Sequence, residues 1–187
     1  MEHLHWKEIS REKILSCNIF EIYNTTSVTD GGLSSTFTII HPPDWANVVP
    51  ITRDEKGREC FLMVHQYRQG SQSVTMEFPG GVLEESEKPE DGARRELLEE
   101  TGHIAGKFHF AGRINPNPAI MDNWCYTYIA EDLQKAGSQQ LDAMELVDGE
   151  LIPVEEVEKN MGEGPLFNAI IVAAFMWYEK WKRFYKE

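Results

Sequence analysis

Glu96, Glu99 and Glu100 stand at offsets of three and four residues, a spacing that sets Glu99 and Glu100 beside Glu96 on one face of a helix. Like charges crowded this way destabilise an isolated helix. Either solvent screens them, the neighbouring Arg94 and Arg95 offset them, or a divalent cation uses them. Immediately upstream, Gly80 and Gly81 close an extended run and lead into Glu84, Glu85 and Glu87. Glycine allows a sharp turn and lets a backbone carbonyl come close to a ligand. Hard cations such as Mg²⁺ take carboxylate and carbonyl oxygens and bridge phosphates, which suits these ligand types. Histidine and thiol are missing from the cluster, which argues against zinc.

Elements on either side must hold these groups in place. Apolar Ala93, Leu97 and Leu98 recur at helical spacing among charges, predicting a helix over Pro89 to Thr101. Ser86 or Glu87 would cap its start, and Gly102 is a natural stop. Strands are expected over Ala46 to Ile51, Cys60 to Tyr67, Val74 to Phe78, Phe108 to Ile114, Trp124 to Ala130 and Glu150 to Ile152. Pro153 opens a short helix through about Asn160, and Pro165 to Phe184 reads as a long terminal helix. Ile19 to Val28 and Ser35 to Ile40, around Asp30-Gly31-Gly32, predict an N-terminal hairpin. Strands interleaved with helices indicate an α/β layered domain with a mixed sheet. A boundary near residue 42 separates an N-terminal β extension, 1–42, from a main domain, 43–187.

The 187 residues carry a formal net charge of −13, which opposes unaided attraction of a polyanion, so nucleic acid is not expected as a partner. Carboxylates gathered around cations can still handle a phosphorylated small molecule, because bound metal reverses the local sign. Cys17, Cys60 and Cys125 are odd in number, far apart and without metal-ligand spacing, which fits a reducing cytoplasmic compartment. The N-terminus lacks the apolar core of a signal peptide. The longest apolar run, Ala169 to Tyr178, is about half of the ~20 residues a membrane span requires, so no membrane association is expected. The six histidines share no motif.

Gly81, Glu87 and the run Arg95-Glu96-Leu97-Leu98-Glu99-Glu100-Thr101-Gly102 fall in a 23-residue window that resembles the Nudix box. The final slot, aliphatic in the family, holds His103, followed by Ile104; this bears on local packing after the helix and leaves the glutamates intact. Gln66-Tyr67-Arg68, Glu77-Phe78-Pro79-Gly80-Gly81 and Pro118 are similar to the ADP-ribose pyrophosphatase branch.

The resemblance implies a Nudix-type α/β/α sandwich and a hydrolase using Mg²⁺ or Mn²⁺ to cleave a nucleoside diphosphate linked to another moiety. ADP-ribose or a related nucleotide sugar, cleaved to AMP and a sugar phosphate, is the leading substrate. On this chain it implies Glu96 and Glu100 as first metal ligands, Glu99 as a further one, the Gly80 carbonyl as a candidate and Glu87 in or beside the same shell. Arg95 would orient the glutamates through charge-assisted hydrogen bonds. Arg68 is a candidate phosphate contact and Glu77 a candidate site carboxylate, although a plain ion pair between them is an equal reading. The base that activates water is assigned to Glu145 in the stretch Asp142-Ala143-Met144-Glu145, with Asp142 its rival and Glu99 the alternative within the box.

Trp45 and Trp124 could stack on a base, with core packing the plainer role for each. A homodimer is expected from the N-terminal strands and the aromatic terminal helix. Two other readings stay open: a module that senses nucleotide sugars without turnover, and an enzyme for dinucleotides or other nucleotides.

Overall fold

The computed structural model describes residues 1–186. The chain divides into two compact units, one formed by Met1–Asp44 with Asn115–Trp124, the other by Trp45–Ile114 with the chain from Cys125 onward. A single cut near residue 42 does not anticipate that residues 115–124 belong with the first unit.

The first unit holds three antiparallel strands in the order β1 (Trp6–Ser16), β2 (Glu21–Thr29), β3 (Ser34–His41). The expected hairpin is therefore a three-stranded sheet. Strand β1 escaped the sequence pattern because it is exposed along its whole length, so no buried face imposes alternation. Residues 115–124 lie along β3: the Ile40 N–H donates to the Ile120 carbonyl at 2.8 Å, and Asp122 accepts from Arg11 at 3.0 Å and pairs with His41 at 2.8 Å.

In the second unit the strands are β4 (Trp45–Arg53), β5 (Glu59–Arg68), β6 (Ser73–Glu77), β7 (Gly80–Val82), β8 (His103–Ile114), β9 (Cys125–Lys135) and β10 (Val147–Pro153). They form one sheet of order β10-β5-β4-β9-β8, with β6 on β5 and β7 on β4. Only β4 and β9 run parallel among these pairs, which makes the sheet mixed. Strand period sorts the side chains between its faces. Ala46 and Val48 meet Ala93 and Leu97 of α1 (Pro89–Thr101), together with Leu83, Tyr128 and Ala130. Val49, Ile51, Phe61, Met63 and Ile129 meet α2 (Val154–Asn160) and α3 (Ala169–Phe184) through Val157, Ile171, Ala174, Phe175 and Tyr178. One helix on one face and two on the other make an α/β/α sandwich.

Helix α1 spans the predicted residues. Pro89 opens it with φ already near the helical value, and Glu90 and Asp91 complement the positive end of the dipole. Its N-cap is Lys88, which makes no side-chain capping bond, rather than Ser86 or Glu87. Gly102 ends it in the left-handed conformation at φ 70° and donates to the Leu98 carbonyl at 2.8 Å. Leu97 is completely buried in this layer, and its replacement by Ala would cost about 2–5 kcal/mol. Helix α3 starts later than Pro165, because the Asn168 side chain caps it by accepting from the Ile170 N–H at 2.9 Å.

Candidate active site

Packing of α1 against β4 turns Glu96 and Glu100 inward with Ala93 and Leu97, leaving Glu96 9% and Glu100 4% exposed. Two carboxylates in so dry a place need partners. Glu100 accepts from the Gly80 N–H at 2.9 Å. Burial nonetheless pushes its pKa up to about 8, with the charges of Glu96 and Glu145 adding to the effect. Burial also raises Glu96, against the pull of Arg95.

The glycines read as a turn in the sequence form a short strand. Gly80, Gly81 and Val82 pair with Asn47, Ala46 and Trp45 of β4, which holds the segment against the inward face of α1. A Cβ at Gly81 would land on the Glu96 carboxylate, so only glycine allows this approach.

Arg95 joins the other acids. Its Nε and Nη2 each lie 3.0 Å from a Glu87 oxygen, Nη1 donates to Glu96 at 2.8 Å and Glu99 at 3.0 Å, and Nη2 also reaches the Val82 carbonyl at 3.1 Å. These bonds hold Glu87 below the usual carboxylate range and raise the guanidinium pKa. Arg95 thus pairs with Glu87, Glu96 and Glu99, and among the described residues no three His, Cys, Asp or Glu side chains converge as a metal-binding group. The donor set still fits a hard cation. Glu96 and Glu100 are buried carboxylates that lack enough positive charge to keep their pKa values low, and a divalent ion supplies such charge.

Arg68 ends β5 and grips Glu77 of β6 with Nε at 2.8 Å and Nη2 at 2.9 Å. Burial would raise the Glu77 pKa, but Arg68 and a 2.5 Å bond from the Thr75 hydroxyl keep it low. Asn168 adds a smaller pull in the same direction, an influence the sequence reading did not assign. Arg68 feels the charges of both Glu100 and Glu145, which puts the ion pair in the same electrostatic neighbourhood as the carboxylate helix.

Glu145 is half-buried in the β9–β10 connection, and its charge raises both Glu96 and Glu100. Its carboxylate accepts from the Asp142 N–H at 3.2 Å, whereas the Asp142 side chain is exposed. Glu99 touches Arg95 from the rim of the cluster. Trp45 is half-buried on β4, and Trp124 belongs to the other unit.

Residues 43–174 match the NUDIX domain. The chain is 29% identical over 170 residues to the ADP-ribose pyrophosphatase of Bacillus subtilis (strain 168), covering 90% of each. It is 28% identical over 174 residues to the methanol dehydrogenase activator of Bacillus methanolicus, covering 92% of each. Against the ADP-sugar pyrophosphatase of Mus musculus the identity is 42% over 86 residues, 46% of this chain and 38% of that one. A crystal structure of an ADP compounds hydrolase superposes with a TM-score of 0.82 at 19% identity, covering 95% of this chain and 94% of that one.

Proposed function

Starting from the fact that the chain belongs to the Nudix family and is a Nudix hydrolase, we propose that it cleaves ADP-ribose or a related nucleotide sugar to AMP and a sugar phosphate, using Mg²⁺ or Mn²⁺. The observation that carries the metal requirement is the pair of buried carboxylates with raised pKa values, Glu96 and Glu100, opposite Gly80 and Gly81. The similarity to an ADP-ribose pyrophosphatase over 90% of each chain supports the choice of substrate.

Glu96, Glu100 and the Gly80 carbonyl would hold the cation, with Glu99 and Glu87 at its margin. Bound there, the ion would neutralise phosphate charge and lower the pKa of water. Arg95 orients Glu96 and Glu99 with hydrogen bonds of 2.8 and 3.0 Å, so its part is positioning. Arg68 gives Nε and Nη2 to Glu77 and keeps Nη1 for an incoming phosphate oxygen, while Glu77 fixes the guanidinium plane. Glu145 is the base, accepting a proton from the attacking water. Its half-buried place beside Glu96 and Glu100 supports that role over exposed Asp142. Glu99, tied to Arg95, is the weaker alternative.

Strand β1 presents Trp6, Ile9, Ile14 and Leu15 to the outside, and Phe37 of β3 adds to them. An unprotected strand with this much apolar surface supports a homodimer. A monomeric mass by light scattering at micromolar concentration would oppose it. Three free cysteines support a reducing, cytoplasmic setting, and among the described residues no helix is long and apolar enough to cross a membrane.

The deciding experiment incubates the protein with ADP-ribose and Mg²⁺ or Mn²⁺ and identifies products by chromatography. AMP and a sugar phosphate are expected. Their absence, with turnover of dinucleotides or nucleoside triphosphates in the same screen, would transfer the activity to those substrates.

A further inference from the structure

The connection between β9 and β10 is tied to the end of α1. The Ala136 and Gly137 N–H groups donate to the Gly102 carbonyl at 2.9 and 3.2 Å, and the Gln140 N–H donates to the Glu99 carbonyl at 2.8 Å. The last carbonyls of a helix lack partners inside it, so this loop satisfies groups that would otherwise face solvent. The Gln139 side chain completes the set in a different way. Its Nε2 donates to the Glu100 carbonyl at 2.5 Å and also to the Val147 carbonyl at 3.0 Å.

Val147 opens β10 and pairs with Gln66 of β5. One amide group therefore joins the backbone of the carboxylate helix, at Glu100, to the far root of the loop. Between the two roots lie residues 140–146, which include Asp142 and Glu145. This tip has little packing of its own, since Met144 is 93% and Leu146 85% exposed. Its internal bonds, from the Glu145 N–H to the Asp142 carbonyl at 2.9 Å and from the Asp142 N–H to the Glu145 carboxylate, shape the tip without attaching it to the helix.

We infer that Gln139 is a positioning residue, whose amide pins both roots of the Glu145 loop to the Glu100 end of α1 and so fixes Glu145 relative to the carboxylate pair. The inference rests on the reading of Glu145 as the base. A misplacement of about 1 Å at a reacting group costs up to about a hundredfold in rate, so even a loosened loop is felt in turnover. Gln139 is itself exposed, and replacing it leaves both sandwich cores untouched.

The test compares Gln139→Met, of similar length but without a donor, with Gln139→Lys, which restores a donor of similar reach. Amide hydrogen exchange over residues 140–147 reads the pinning without any substrate. Exchange there is expected to quicken in Gln139→Met and return towards the parent rate in Gln139→Lys, with Tm moved by no more than about 4 °C. Unchanged exchange in Gln139→Met would overturn the pinning. With ADP-ribose and Mg²⁺, Gln139→Met is expected to lower kcat by about tenfold with KM within about twofold, and Gln139→Lys to recover most of the loss. In a Glu145→Gln background Gln139→Met should add less than about a twofold loss, because the group it positions is gone. An undiminished loss in that background overturns the positioning role, and so does full activity of Glu145→Gln, which removes the base itself. If the parent protein fails to turn over ADP-ribose, the substrate reading is wrong, while the exchange rates still decide whether Gln139 pins the loop.

Discussion

Arg95 holds Glu87 with two parallel hydrogen bonds, Nε and Nη2 each 3.0 Å from a carboxylate oxygen. The same guanidinium spends Nη1 on Glu96 and Glu99, so one planar cation orders three acids on a loop and a helix. Lysine cannot reproduce that fork. Arg95→Lys is expected to lower kcat by roughly tenfold or more and to cost about 1–2 kcal/mol, since charge-assisted bonds are lost at a partly exposed site. Steady-state kinetics and urea denaturation would check both. Unaltered kcat would show that the ordering of the glutamates is redundant.

Glu100 makes a prediction about pH. Its folded pKa is pushed from 4.5 up to about 8, chiefly by burial, so its contribution to stability is whole below about pH 4.5, where the group is neutral in both states. As pH rises from there, the unfolded chain ionises while the folded one keeps its proton, and stability drains until the folded carboxyl itself ionises near pH 8. In chelator-treated protein this loss is on the order of a few kcal/mol between pH 5 and pH 8. Glu100→Gln should flatten that dependence and reduce turnover by about a hundredfold or more. Mg²⁺ should raise Tm at pH 8 more than at pH 6, because protons compete for the same oxygens. A Tm insensitive to Mg²⁺ in the parent protein would remove the cation from this face.

Much of this arrangement is legible in the residue pattern, and the parts that are not share a physical cause. Helix α1 can be read because its apolar stripe, Pro89 and Gly102 all agree. Strand β7 cannot, since Gly80-Gly81 resembles a turn until β4 supplies hydrogen-bonding partners. Strand β1 has no buried face to impose a period, so its charged and apolar residues alternate without pattern. Arg68 sits opposite Ser73 and Glu77 opposite Val64, so their ion pair depends on the Arg68 side chain reaching along the β5–β6 hairpin, and the influence of Asn168 on Glu77 joins residues far apart in sequence and leaves no local trace. Gln139 is hidden for the same reason, because its partners are carbonyls at Glu100 and Val147 and carbonyls carry no residue signature.

Gly81 supplies a steric test. A Cβ there meets the Glu96 carboxylate, and in Gly81→Ala that carboxylate must swing away from the segment it faces. Gly81→Ala is expected to lower kcat by roughly tenfold or more and to weaken activation by Mg²⁺, with a stability change of only about 1 kcal/mol. A magnesium titration of activity checks this. An unchanged half-saturation concentration would mean that Glu96 has room to keep its place.

Away from the site, Tyr178 of α3 is fully buried and donates to Glu59 at 2.6 Å, while its ring meets Phe61 edge-on at 4.8 Å. Burial would raise the Glu59 pKa, but bonds from Lys186 and Tyr178 win and bring it down to about 2. A carboxylate lowered in this way contributes stability above its unfolded pKa of about 4.5, and loses it as pH falls through that value towards 2. Tyr178→Phe keeps the ring and removes the donor, so it should cost about 1–2 kcal/mol at pH 7, less at pH 3, and leave kcat unaltered. Urea denaturation at the two pH values, together with one activity assay, separates this helix anchor from the chemistry on the other face of the sheet. A fall in kcat without loss of stability would show that α3 contributes to turnover directly.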